Sequence, residues 1–172
     1  MRPVYLIGFM GAGKTTLGKR LATAMGLTFQ DLDHLFEEKY KLNINSFFEK
    51  YGENLFRKFE YELVKSTYEM QDVVISTGGG TPCFFDSMQG MNQNGVTVYM
   101  QTTPAGLASR LVNAKRQRPL LEGKSPEALN LYITEKLKER EKWYTQAHFK
   151  IDAINPDLPK LIGGIYSLTG LE

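Results

Sequence analysis

At 172 residues the chain has room for one domain with its own core, within the roughly 100 to 200 residues usual for one. Its 21 Lys and Arg nearly balance its 19 Asp and Glu, so no chain-wide basic surface points to nucleic acid or an anionic membrane, and any anion site has to be built locally. One cysteine and two histidines exclude an internal disulfide and make a poor zinc set, so a reducing cytoplasm is the expected home.

The first predicted element is a strand over 4–7 that runs into "GFMGAGKTT", Gly8 to Thr16. Arg2 followed by "VYLIGFMGAG" loosely has the charged and apolar parts of a signal peptide. Glycines interrupt that run and Lys14 follows at once, which suits a strand entering a phosphate loop far better. No other apolar stretch approaches the roughly 20 residues of a membrane span, so a soluble protein is expected. Gly8, Gly13, Lys14 and Thr15 meet the pattern G-x-x-x-x-G-K-[ST], and a helix is predicted over 14–25 directly after it. Glycines let the chain curl so that successive backbone N–H groups point inward, and the helix adds the positive end of its dipole. Lys14 would reach the β- and γ-phosphates, and the Thr15 hydroxyl would ligate Mg²⁺. A glycine-rich turn with an accidental lysine is the plain alternative. The loop fixes a nucleotide and not a reaction; with no N-K-x-D guanine-reading motif in the chain, ATP is the expected nucleotide.

A second strand over 28–31 leads into a helix over 32–40, and "FQDLDHLFE" places Asp31 and Asp33 at that junction. Two residues apart on an extended chain, they can share a side. One carboxylate can then assist Mg²⁺ through water while the other accepts a hydroxyl proton; either can equally cap the helix. Segment 42–52 fits the alternation of strands and helices poorly and reads as a loop-like excursion. A long helix is predicted over 54–70, with Leu55, Phe56, Phe59, Leu63 and Val64 on its apolar face. Arg57 and Glu60, three residues apart, can share a face of that helix.

The third strand, 73–76, ends in "STGGGTP". Three glycines cost backbone entropy, which points to a left-handed turn or to a ligand touching the main chain. At the C-terminal end of a strand in an open parallel sheet, a ligand floor is the better use. Cys83, just beyond, reads as a packed thiol. A strand over 96–101 is followed by a short helix opened by Pro104. Segment 113–124, "NAKRQRPLLEGK", is basic and closed by glycine, as lids often are, and carries Arg118. A helix over 127–146 carries Arg140, a strand over 149–152 follows, and Pro156 with Pro159 introduces the last helix. Each arginine alone reads as a solvated surface residue. Five strands separated by helices predict an α/β fold with one parallel sheet.

"GFMGAGKTT", "FQDLDHLFE", "GENLFRKFE", "STGGG" and "RQRPLL" stand in the order found in the shikimate kinases, and nearly the whole chain resembles that family of nucleoside-monophosphate-kinase-like P-loop proteins. The resemblance implies a three-layer fold, a five-stranded parallel sheet flanked by helices, in a single kinase domain over 1–172. A substrate-binding excursion would occupy about 32–60 and a lid about 113–124. It implies transfer of the γ-phosphoryl group of ATP to the 3-hydroxyl of shikimate. ATP would meet Gly11, Ala12, Gly13, Lys14, Thr15, Thr16, Arg110 and Arg118, with Arg110 near the adenine. Shikimate would meet Asp33, Arg57, Glu60, Gly78, Gly79, Gly80 and Arg140. Lys14, Asp33 and Arg118 would carry catalysis, with Asp33 the candidate base and Arg118 a finger brought in by the lid. Mg²⁺ would sit at Thr15, with Asp31 and Ser76 reached through water. Guanidinium forks suit a carboxylate substrate.

The chain departs from the family at Lys142, where a proline is usual, and at the bulky "TPCFF", which is expected only to start a helix. The rival within enzymes is a kinase for another small hydroxy acid, such as gluconate, or for a nucleotide; a gluconate enzyme should lack the "GENLFR" and triple-glycine pair. A nucleotide-driven binding module would leave Asp33 and the arginines without a task. A monomer without nucleic-acid or membrane partners is expected.

Overall fold

The computed structural model describes residues 1–112 and 125–170. The basic segment 113–124, with the lid and Arg118, lies outside the described residues. In chain order the elements are β1 Val4–Ile7, α1 Lys14–Met25, β2 Thr28–Asp31, α2 Leu32–Tyr40, α3 Ile44–Ser66, β3 Val73–Ser76, a 3-10 turn Thr81–Cys83, α4 Ser87–Asn94, β4 Val96–Gln101, α5 Pro104–Val112, α6 Pro126–Tyr144, β5 Phe149–Asp152 and α7 Leu158–Thr169. The five strands fall on their predicted bounds. They pair in parallel in the order β2-β3-β1-β4-β5, with β1 central.

The central strands are continuous apolar runs because both faces of a parallel sheet are covered. Along β1 the side chains alternate between two cores. Val4 and Leu6 join Val74, Val98 and Met100 under Leu17, Leu21, Leu107, Ile133 and Ile165. Tyr5 and Ile7 face the other way and join Ile75 and Tyr99 under Phe36, Phe47, Phe56, Leu63 and Met91. Helix α6 serves both, with Leu129 and Ile133 in one core and Tyr144 in the other. These layers bring the C-terminal ends of β1, β2 and β3 together along one rim.

Three expectations about the helices need correction. Segment 42–52 is not loop-like: α3 begins at Ile44, with Asn43 capping it by accepting from the Ser46 amide at 2.8 Å. What orders it is aromatic packing of Phe47 on Phe36 at 5.1 Å and Phe48 on Phe56 at 4.5 Å between ring centroids. The helix breaks at Gly52 (φ 78°, ψ 168°), which is why the pattern resumes near 54. Its far end stops at Ser66, short of 70, where Thr67 caps it. The helix expected to start at "TPCFF" is only a 3-10 turn there, and α4 begins later, at Ser87; "SMQGMNQN" is a poor helix sequence and owes its state to burial of Met88 and Met91.

Candidate active site

The phosphate loop sits between β1 and α1. Gly8 has φ 140°, and a Cβ there would lie 2.8 Å from the Met100 carbonyl oxygen; Gly13, at φ 93°, caps α1 in the left-handed region. Only glycine meets both demands. Lys14 is 8% exposed and its ammonium donates to the Gly8 and Phe9 carbonyls at 2.8 and 2.9 Å, lying along the inside of the loop. Arg110 of α5 braces the loop from its flank, donating to the Ala12 carbonyl at 2.9 Å and to the Ala153 carbonyl at 3.3 Å.

Asp31 joins the loop to β2. One oxygen accepts from the Thr15 hydroxyl at 2.9 Å and the other from the Asp33 amide at 3.1 Å, so Asp31 caps α2 and faces the loop at once. Ser76 pairs with Asp31 in register across β2 and β3. The hydroxyls and carboxylate of Thr15, Asp31 and Ser76 form an all-oxygen set, which suits Mg²⁺, an ion that takes few protein ligands and keeps water and phosphate oxygens. Among the described residues, no group of three or more His, Cys, Asp or Glu makes a closed metal cage. Asp33 lies in the first turn of α2, so strand alternation does not relate it to Asp31.

The three glycines after β3 form a floor. Their φ angles are not positive, so close approach and not a left-handed turn requires them. A Cβ on Gly78 would lie 3.0 Å from Glu60 Oε1 and 3.4 Å from Asp33 Oδ1. On Gly79 it would lie 3.2 Å from the Met10 amide nitrogen, 3.4 Å from Arg140 Nη1 and 3.5 Å from the Gly8 carbonyl oxygen. On Gly80 it would lie 2.7 Å from Arg57 Nη2. Each glycine therefore meets a different part of the predicted acceptor set, and Gly79 also touches the phosphate loop.

Arg57 is held firmly. Nη1 donates to Glu60 Oε2 at 2.8 Å, while Nε and Nη2 donate to Glu53 Oε1 at 3.2 and 3.0 Å. Its guanidinium also stacks 4.3 Å from the centroid of Phe84. Glu60, 4% exposed, accepts from the Thr81 hydroxyl at 2.6 Å through its other oxygen. Arg140 lies 5.3 Å from the centroid of Phe9 in the phosphate loop. Lys142 does not displace it: α6 runs on to Tyr144, and the Lys142 ammonium sits 4.1 Å over Trp143. Burial pushes the Cys83 thiol up to about 11 although Arg140 and Arg57 oppose the shift, so it stays a neutral packed thiol.

The structure thus brings Lys14, Thr15, Asp31, Asp33, Arg57, Glu60, Ser76, Gly78, Gly79, Gly80 and Arg140 to one rim of the sheet, with Arg110 at its flank; Arg118 lies outside the described residues. Three polar residues of the site escaped the sequence reading. Glu53 sits four residues before Arg57, a spacing that could have revealed it. Thr81 and Tyr144, which donates to the Gly79 carbonyl, left no local signal.

Residues 10–161 match the family model described as shikimate kinase. A shikimate kinase of Parabacteroides distasonis is 46% identical over 153 residues, covering 89% of this chain and 88% of that protein. The crystal structure of shikimate kinase from Bacteroides thetaiotaomicron is 38% identical with a TM-score of 0.89 over 99% of both chains. Shikimate kinase from Acinetobacter baumannii, solved in complex with shikimate, is 32% identical with a TM-score of 0.83, covering 98% of this chain and 93% of that one.

Proposed function

The chain belongs to the shikimate kinase family of ATP-dependent kinases, and from that premise we propose how its own residues transfer the γ-phosphoryl group of ATP to the 3-hydroxyl of shikimate. Phosphoryl transfer asks a protein for alignment and charge stabilisation more than for covalent chemistry. Backbone amides of Gly11, Ala12 and Gly13, with the Thr15 and Thr16 amides at the start of α1, cradle the phosphates. Lys14 leaves its loop carbonyls for the β- and γ-oxygens, and Arg110 borders the adenine. Thr15 directly, and Asp31 and Ser76 through water, would hold Mg²⁺, which would supply neutralisation of charge on the phosphate oxygens.

On the acceptor side, Arg57 and Arg140 grip the shikimate carboxylate and the glycine floor lets the ring lie against the main chain. Glu60 fixes Arg57, and Asp33 orients the hydroxyl and receives its proton. Arg118, outside the described residues, is assigned to the transferring group by its place in "RQRPLL" and would stabilise the charge that develops there. The unit is one kinase domain whose excursion, 32–60, supplies Asp33, Arg57 and Glu60. A monomer in the cytoplasm completes the proposal; among the described residues no helix is long and apolar enough to cross a membrane.

The observation that carries this reading is the crowding of Asp33, Glu60, Arg57 and Arg140 onto three consecutive glycines, the middle one in contact with the phosphate loop. Coupled measurement of ADP release with shikimate, gluconate and nucleoside monophosphates tests it. Shikimate should support turnover well above the ATP-only rate; no rise with shikimate would defeat the proposal.

A further inference from the structure

Helix α6 reaches the site twice. Arg140 projects from it, and one turn later the fully buried Tyr144 donates its hydroxyl to the Gly79 carbonyl at 2.5 Å. Tyr144 is itself placed from the sheet. Its ring packs 5.0 Å from that of Tyr99 on β4, and the Tyr99 hydroxyl donates to Glu141 Oε2 at 3.0 Å, tying α6 down between Arg140 and Tyr144. Burial holds the Tyr144 hydroxyl above the usual phenol range although the Arg140 guanidinium beside it pulls the other way, so it remains a donor at neutral pH.

A trans peptide is planar, with its C=O and N–H on opposite sides. No peptide among the described residues is cis. A bond accepted by the Gly79 carbonyl therefore fixes the plane of the 79–80 peptide and aims the Gly80 N–H away from Tyr144. The same bond polarises the peptide and makes that N–H a better donor. The 79–80 peptide is the central peptide of a turn closed by the Thr81 amide donating to the Gly78 carbonyl at 3.2 Å, and with glycine on both sides it can turn over without breaking that closure.

We propose that Tyr144 is a positioning residue for the kinase reaction: its hydroxyl, anchored from Tyr99, locks the 79–80 peptide so that the Gly80 amide and Arg140 present themselves to shikimate at one fixed spacing. The proposal rests on the reading of the glycine floor as the shikimate site and adds to it a residue that acts through the floor. It differs from a core-packing role in what it affects. Loss of packing weakens the whole domain, whereas a loosened peptide weakens the acceptor half alone.

Tyr144→Phe removes the hydroxyl and keeps the ring. Steady-state kinetics with each substrate varied, together with Tm, are compared for wild type, Tyr144→Phe and Gly80→Ala. The expected result for Tyr144→Phe is a shikimate KM raised about five- to thirtyfold, the worth of one buried hydrogen bond, with the ATP KM within about twofold and Tm little changed. If that variant does not fold, Tyr99→Phe loosens the same anchor and should raise the shikimate KM in the same selective way by a smaller factor. Should Gly80→Ala raise the shikimate KM while the tyrosine variant leaves it unchanged, the role of Tyr144 is overturned and the floor stands. If neither moves it, the floor reading falls and takes the proposal with it. Equal losses for both substrates with a lowered Tm reduce Tyr144 to packing and also overturn it.

Discussion

The phosphate loop and the glycine floor touch at Gly79, yet they are built in opposite ways. In the loop, the glycines, the cation Lys14, the hydroxyl of Thr15 and the start of the α1 dipole are consecutive in sequence, and one turn of chain holds most of the donor side. In the floor, the consecutive residues supply only space. The chemistry arrives from α2 with Asp33, from α3 with Arg57 and Glu60, and from α6 with Arg140. The proposed donor half is thus a local motif and the proposed acceptor half a tertiary assembly, so damage to the second should spread among its members while sparing ATP.

The largest expected effects come from the two groups proposed to act on the transferring atoms. Lys14→Met should abolish measurable turnover and weaken ATP binding as well, read by calorimetric titration. Asp33→Asn should cost about 10² to 10⁴ in kcat, the usual worth of a positioned acid–base group, with ATP affinity nearly intact. Turnover near normal in Asp33→Asn would remove the proposed base without touching the substrate assignment.

Glu60→Gln comes next. It strips charge from a buried carboxylate that holds Arg57 and Thr81 together, so a loss of about 2 to 4 kcal/mol spread over stability and shikimate binding is expected from urea unfolding and kinetics. Glu53→Gln should matter far less. Its side chain is 55% exposed, and an exposed pair of this kind is worth about 1 kcal/mol at most, so the shikimate KM should rise by no more than about fivefold and less at high salt. Equal effects at Glu53 and Glu60 would break the distinction between a buried brace and an exposed one.

The smallest effect on turnover is expected at Cys83, which lies beside both arginines and is probed by its reactivity. Its thiol is raised to about 11 from 9.0, so the thiolate is scarce at pH 8 and gains population only as pH climbs towards 11. Alkylation at pH 8 should be about a hundredfold slower than for an ordinary thiol and should accelerate with pH. Rapid labelling at pH 8 would contradict the packed environment.

What was legible in the sequence follows the same division. The strand, loop and helix around Lys14 could be read because each part depends on its immediate neighbours. The aromatic body of α2 and α3 was half read. Phe56 and Phe59 show helical spacing, while Ile44 to Tyr51 was hidden by the break at Gly52 and makes sense only once Phe47 meets Phe36. The triple glycine announced contact with something. The sequence alone had no means to say that each glycine would meet a different side chain, or that no left-handed turn was needed. Tyr144 was least legible, because its role depends on a carbonyl 65 residues earlier in the chain. The family resemblance brought Asp33, Arg57 and Arg140 together before the fold did, but it carried no account of Glu53 or Thr81.

The separation of the two halves is tested most directly by titrating ATP and, separately, shikimate into wild type and Arg57→Ala in a calorimeter. Loss of a charged fork should weaken shikimate about ten- to a hundredfold and leave ATP within about twofold. Retained shikimate affinity, or an equal loss for both ligands, would contradict an acceptor site assembled on the glycine floor.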